Sequence, residues 1–211
     1  MTLFDPPLRL LIVDDHFVFR AGLKAVLSLR KDFQVVAEAE DAAASLVAFR
    51  THEPAMTLMD LRLPDDTGIE ALRRIRQEYP AARVLMLTTY DGDEDIHRAL
   101  EAGACGYLLK SVPGPELLRA IESAALGKRY IPPQVQRRLE ERATFGDLTH
   151  REREVLPFVV KGLTNKDIAR ILKFTEFTAK AHVRSLLSKL GAADRTELAT
   201  IAIQRGLVHL D

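Results

Sequence analysis

Two short apolar runs end in carboxylates: Leu8-Arg9-Leu10-Leu11-Ile12-Val13 closes on Asp14-Asp15, and Ala55-Met56-Thr57-Leu58-Met59 closes on Asp60. Two later runs deliver Thr88, after Arg83-Val84-Leu85-Met86-Leu87, and Lys110, after Gly106-Tyr107-Leu108-Leu109. An open parallel sheet binds ligands outside the carboxyl ends of its strands. If these runs are strands of one such sheet, three acids, a hydroxyl and an ammonium converge at one edge. Clustered carboxylates resist ionising together without a cation. Mg²⁺ suits them, because it prefers oxygen ligands, keeps waters and bridges to phosphate oxygens. Thr88 can donate to a phosphoryl oxygen and Lys110 supplies positive charge opposite it. One carboxylate can then act as nucleophile and become an acyl phosphate. Asp60 is the best placed, since its strand should be central while Asp14 and Asp15 hold the ion.

The elements that must position these groups alternate. Apolar strand candidates at 8–13, 33–39, 55–60, 83–88 and 106–109 are separated by amphipathic segments near 17–29, 42–52, 68–78, 93–102 and 115–126. That alternation predicts repeated strand-helix-strand units with right-handed crossovers and a parallel sheet covered on both faces. A dinucleotide-binding fold would need a glycine-rich first turn, and Asp14-Asp15-His16 stands there instead. His16 reads as a loop residue beside the site. Asp91-Gly92-Asp93-Glu94-Asp95 lacks calcium-loop spacing and suits an acidic helix start.

Residues 8–126 resemble a bacterial response-regulator receiver domain. The resemblance rests on Val13-Asp14-Asp15-His16, Met59-Asp60-Leu61-Arg62-Leu63-Pro64, Gly68, Leu87-Thr88-Thr89 and Gly106-Tyr107-Leu108-Leu109-Lys110. It implies a flavodoxin-like α/β fold with strand order 2-1-3-4-5, and Asp60 as phosphoacceptor from a histidine kinase. It further implies that Asp15 binds Mg²⁺ directly, Asp14 largely through water, and that the Arg62 carbonyl completes the protein ligands. Thr88 and Tyr107 would form the switch pair, drawn inward on phosphorylation, with Lys110 tethering the phosphoryl oxygen. Lys110 is followed by Ser111, where many receivers carry a proline and a cis peptide bond. Arg62 and Tyr90, two residues past Asp60 and Thr88, are expected to shield the acyl phosphate from water.

The 211 residues carry no net charge, yet residues 1–126 hold 14 Lys+Arg against 20 Asp+Glu, and residues 127–211 hold 16 against 10. An acidic half joined to a basic half points to two domains with different partners, the second suited to nucleic acid. No apolar run approaches the ~20 residues of a membrane span, and no signal-peptide pattern is present. With a single cysteine, Cys105, no internal disulfide forms, so a cytoplasmic location is expected. Gly127 to Pro133 ends the sheet domain, and 134–143 reads as a short charged helix in a linker running to 147.

From residue 148 the chain reads as four helices, about 150–161, 165–172, 176–190 and 195–205. Thr149-His150-Arg151-Glu152 is a capping box, and Asp194-Arg195-Thr196-Glu197 a looser one. Thr164 and Thr175 are caps, while Gly162, Gly191 and Gly206 are terminators. Within 176–190, Ala179, Val183, Leu186 and Leu190 form a core stripe. Lys180 and Arg184 share another face, where they either pair with Glu176 along a solvated surface or read bases in a major groove. Pro157 falls inside the first helix and costs about 3 kcal/mol unless the helix bends.

Leu148-Thr149-His150-Arg151-Glu152-Arg153-Glu154-Val155-Leu156, Gly162-Leu163-Thr164-Asn165-Lys166-Asp167-Ile168-Ala169, Thr175-Glu176, Lys180-Ala181-His182-Val183 and Lys189-Leu190-Gly191 closely resemble the LuxR-type helix-turn-helix. The resemblance implies that Lys180, Ala181 and Arg184 face base edges, that Lys166, Thr175, Thr178 and Lys189 meet backbone phosphates, and that 195–205 supplies a dimer contact. Phe174 and Phe177 depart from the family, which commonly has an aliphatic and a small or polar residue there, and Ala179 replaces a valine. Phe177 lies near the Lys180 and Arg184 face, where an exposed ring could contact thymine methyls or a protein partner, and local packing is its expected use. Taken together, the chain is expected to be a NarL/FixJ-type regulator with a receiver at 1–126, a linker at 127–147 and a DNA-binding domain at 148–211. Its expected partners are promoter DNA, a cognate histidine kinase and a second copy of itself, with no membrane. Three rivals are weighed against it: a DNA binder without phosphorylation control, a protein-docking helical bundle, and a Mg²⁺-dependent phosphatase. Haloacid-type phosphatases need an acid two residues after the nucleophile, and position 62 is arginine.

Overall fold

The computed structural model describes residues 3–143 and 146–209, so Thr144 and Phe145 of the expected linker lie outside it. The chain divides into two compact units, residues 1–90 with 96–136 and residues 91–95 with 137–211.

The first unit is built on strands β1 (Leu8–Val13), β2 (Phe33–Ala39), β3 (Met56–Met59), β4 (Val84–Thr88) and β5 (Gly106–Leu109). They form one parallel sheet in the order β2-β1-β3-β4-β5, the expected flavodoxin-like arrangement. β3 and β4 are buried at every residue, as strands covered on both faces must be, whereas edge strand β2 is largely half-exposed. Helices α1 (Phe17–Ser28), α2 (Ala42–His52), α3 (Gly68–Glu78), α4 (Asp93–Glu101) and α5 (Gly114–Ala125) follow the strands in turn. The first turn of α4 carries Asp93, Glu94 and Asp95, as an acidic helix start should, and Pro115 falls in the first turn of α5. Beyond α5, Tyr130 pairs with Gly106 at the free edge of β5 and exchanges backbone hydrogen bonds with Cys105 and Tyr107. Helix α6 spans Pro133–Arg142.

The remaining helices are α7 (His150–Val160), α8 (Asn165–Leu172), α9 (Glu176–Leu190) and α10 (Arg195–Gln204). Each starts where its cap is legible. Thr149 and Glu152 form a full capping box, while Thr164 and Thr175 accept from backbone N–H groups three residues on. Asp194 accepts from both Thr196 and Glu197, and Glu197 reaches back to the N–H of Ala193. Gly162, Gly191 and Gly206 adopt φ of 77°, 67° and 70°, the left-handed conformation that glycine takes at no steric cost. α7 runs on past Pro157, whose carbonyl accepts from Lys161 at 3.0 Å. The four helices enclose a core of Val155, Ile168, Val183, Leu186 and Leu198.

Candidate phosphoacceptor site and nucleic-acid interface

Strands β1 and β3 are neighbours at the centre of the sheet, and the backbone N–H of Asp60 donates to the Val13 carbonyl at 2.8 Å. Asp14 and Asp60 therefore leave the sheet side by side, both buried. Lys110 arrives from β5, its backbone held by the Thr88 carbonyl at 2.7 Å. Its Nζ lies 2.6 Å from Oδ2 of Asp60 and 2.6 Å from Oδ2 of Asp14. The second Asp60 oxygen accepts from the Leu61 N–H at 2.7 Å. Asp14, Asp15, His16 and Asp60 each offer a ligand atom, all within 4.8 Å of one another. His16 is the loop residue beside the site that the sequence predicts: its Nδ1 is 2.6 Å from Asp15, and its backbone N–H donates to Asp14 at 2.9 Å.

Burial pushes the Asp60 carboxyl above the usual carboxylate range, and the ammonium of Lys110 only partly offsets this. Burial works against the charge on Lys110 too, but its hydrogen bonds to Asp14 and Asp60 outweigh it and raise its pKa. Removing either partner would leave a buried charge uncompensated.

The switch candidates lie just behind. Thr88 is buried, and its Oγ1 accepts from the Tyr90 N–H at 3.3 Å. Tyr107 is fully buried and donates its hydroxyl to the Tyr90 carbonyl at 2.8 Å. The guanidinium of Arg62 sits 5.3 Å from the centre of the Tyr90 ring. Both residues border a groove of about 720 Å³ that also meets His16, Phe19, Lys110 and Val112. The Lys110–Ser111 bond is trans; among the described residues the one cis peptide bond is Asp5–Pro6.

In the second unit, α8, a turn at Lys173-Phe174 and α9 form the helix-turn-helix. Ala179, Val183, Leu186 and Leu190 are buried, and Lys180, Ala181 and Arg184 are exposed on the other side of α9. Neither Lys180 nor Arg184 has an ion pair among the described residues, so the expected alternative of pairing with Glu176 is not realised. Lys166 is exposed in the first turn of α8. Thr175 and Thr178 join hydroxyls at 2.8 Å over the start of α9. Lys189 differs: its Nζ donates to Glu152 at 2.8 Å and to the Asp147 carbonyl at 2.9 Å.

Residues 10–122 match the family model of the response regulator receiver domain, and residues 147–202 match that of the bacterial regulatory proteins of the luxR family. The chain belongs to the LuxR-type response regulators. It is 34% identical over 207 residues to the response regulator protein VraR of Staphylococcus aureus, covering 96% of this chain and 99% of that one. Its fold is similar to the response regulator ChrA of a heme-sensing two-component system, with 36% identity, 96% and 99% coverage and a TM-score of 0.58. RcsB of Salmonella enterica serovar Typhimurium, solved bound to promoter P1flhDC with the phosphomimetic BeF3−, is 25% identical over 92% of this chain and 97% of its own, with a TM-score of 0.73. All three are response regulators, and RcsB was solved on promoter DNA.

Two residues support the regulator's acidic site without having been singled out from sequence for that role. Arg20 is buried on the core face of α1 with Leu23 and Leu27. Its Nη1 donates to the Asp14 carbonyl at 2.5 Å and its Nη2 to Glu40, while Glu38 lies 3.6 Å from Nε as an ion pair without a hydrogen bond. A charge on an otherwise apolar helical stripe was the available signal. Gly68, known only as part of the receiver resemblance, opens α3 directly over Asp60; a Cβ there would lie 1.8 Å from the Asp60 carbonyl oxygen.

Proposed function

We propose that the receiver switches DNA binding through Mg²⁺-dependent phosphorylation of Asp60 by a histidine kinase. The observation that carries this reading is the pair of 2.6 Å contacts from Lys110 to Asp60 and Asp14. Asp60 is buried in a raised-pKa environment yet kept partnered, as a nucleophilic carboxylate requires. A carboxylate oxygen of Asp60 attacks phosphorus, the P–N bond to the kinase imidazole breaks, and an acyl phosphate forms.

The donor set fits Mg²⁺: three carboxylates at one sheet edge, two of them buried and one open to solvent. Asp14, Asp15 and Asp60 would hold the ion together with the Arg62 carbonyl. When bound, it would neutralise charge on the incoming phosphoryl oxygens. Thr88 would donate to one phosphoryl oxygen and Lys110 would neutralise another. Moving Thr88 breaks its contact with Tyr90, whose carbonyl holds the Tyr107 hydroxyl. The switch then acts through the hydrogen bonds of Tyr90, which connect Thr88 to Tyr107.

We assign the receiver to 1–126, the linker to 127–147 and the DNA-binding domain to 148–211. Lys180, Ala181 and Arg184 would face base edges, with Lys166, Thr175, Thr178 and Lys189 at phosphates. Lys189 has three donors and uses two internally, which leaves one for a phosphate oxygen. α10 would pair two copies across a two-fold site in promoter DNA. A cytoplasmic location accords with the single cysteine, and no described helix is long and apolar enough to cross a membrane. Labelling by acetyl phosphate with Mg²⁺ tests the acceptor: one phosphoryl group per chain is expected, and none in Asp60→Asn. Labelling that survives Asp60→Asn would refute the assignment.

A further inference from the structure

Phe177 does not pack against its neighbours as its residue type led us to expect. It is 82% exposed in the first turn of α9. Phe174, three residues earlier, shows what packing looks like here: its ring lies 5.6 Å from that of His182, with the Arg151 guanidinium 5.5 Å above it. Exposed aromatic surface of this size contributes nothing to the fold, and it stands within a charged surface. Phe177, Lys180, Ala181, Arg184 and Ser188 recur at helical spacing and are all exposed, opposite the buried stripe. That face holds two cations without ion pairs, and Glu176, one turn before Lys180, is the one carboxylate beside it among the described residues. Its complement is a polyanion with an apolar feature between its charges. Duplex DNA has one, because the thymine 5-methyl group projects into the major groove beside acceptors that Lys or Arg can reach.

We propose that Phe177 is a specificity-determining residue that places its ring against a thymine methyl, next to the bases read by Lys180 and Arg184. This rests on the DNA-binding reading above and sharpens it to a sequence preference. Removing that methyl should weaken binding about fourfold per half-site, equivalent to ~0.8 kcal/mol for one buried carbon.

The full chain and its Phe177→Ala variant are each used to select duplexes from a random pool. Uracil then replaces thymine at the selected positions, in both strands and one position at a time. Wild type should select a thymine that the variant does not, and should lose about fourfold per half-site at that one uracil. Phe177→Ala should bind the thymine and uracil duplexes equally, with an unchanged melting temperature. Identical selected sites, or a wild type indifferent to uracil, would overturn the proposal. So would a variant weakened equally on every duplex, or one that loses binding only to another protein. Lys180→Ala/Arg184→Ala separates the two readings: if wild type and this variant both fail to bind any duplex at low salt, DNA binding itself falls.

Discussion

Glu152 ties the start of α7 to Ser185 and Lys189 of α9, and Glu152→Gln should expose how much stability depends on its charge. The carboxylate is 3% exposed. One oxygen accepts from the Thr149 N–H at 2.7 Å and from Lys189 at 2.8 Å, the other from the Ser185 hydroxyl at 2.7 Å. Burial raises its pKa, but Lys189, the Thr149 N–H and Ser185 prevail and bring it down to about 2. Set against an ordinary value near 4.5, a folded pKa of about 2 corresponds to roughly 3 kcal/mol at neutral pH. Because the folded pKa is the lower one, this stabilisation is complete above pH ~4.5 and fades as pH falls toward about 2. Glutamine keeps the shape and can still accept one hydrogen bond, so Glu152→Gln should cost about 2–3 kcal/mol at pH 7. At pH 3 the difference should shrink to about 1 kcal/mol. Urea unfolding of the full chain, followed by far-ultraviolet circular dichroism at both pH values, measures it. A cost below about 0.5 kcal/mol at pH 7, or one that does not shrink at pH 3, would refute the reasoning.

Gly68→Ala should lower the melting temperature and cut acetyl phosphate labelling roughly 10–100-fold, because its Cβ would displace the Asp60 backbone. Unimpaired labelling would show that α3 can shift freely. Arg62→Ala and Tyr90→Ala should each hydrolyse the acyl phosphate about 2–5-fold faster, in line with the loss of a partly exposed cation–π contact over the site. Unchanged rates in both would remove the shielding role. Burial pushes the Cys105 thiol up to about 11, so a thiol reagent at pH 8 should modify the native chain on the order of a hundredfold more slowly than the unfolded one. Equal rates would mean that β5 opens readily.

The strand ends were legible because apolar runs stop abruptly at Asp14, Asp60, Thr88 and Lys110, and the helices were legible because their caps are strictly local. What stayed hidden depended on partners distant in sequence. Helical spacing puts Arg20 on the core stripe of α1 but does not show that the Asp14 carbonyl and two glutamates of the β2 end await it. Lys189 is expected only to meet a backbone phosphate, until α7 delivers Glu152 to its Nζ. Spacing puts Phe177 away from the core stripe of α9, but only the completed fold shows that no neighbour covers its ring. His16 was legible as a loop residue beside the site, but its 2.6 Å contact with Asp15 was not. The hydrogen bond from Tyr107 to the Tyr90 carbonyl was likewise hidden, because it joins residues seventeen positions apart.

The central claim is that the phosphoryl state of Asp60 controls DNA binding. The affinity of the full chain for a selected duplex, measured at fixed salt with and without acetyl phosphate and Mg²⁺, tests it directly. Wild type should change affinity on phosphorylation, and Asp60→Asn should hold one affinity under both conditions. Equal affinities for phosphorylated and unphosphorylated wild type would contradict the account.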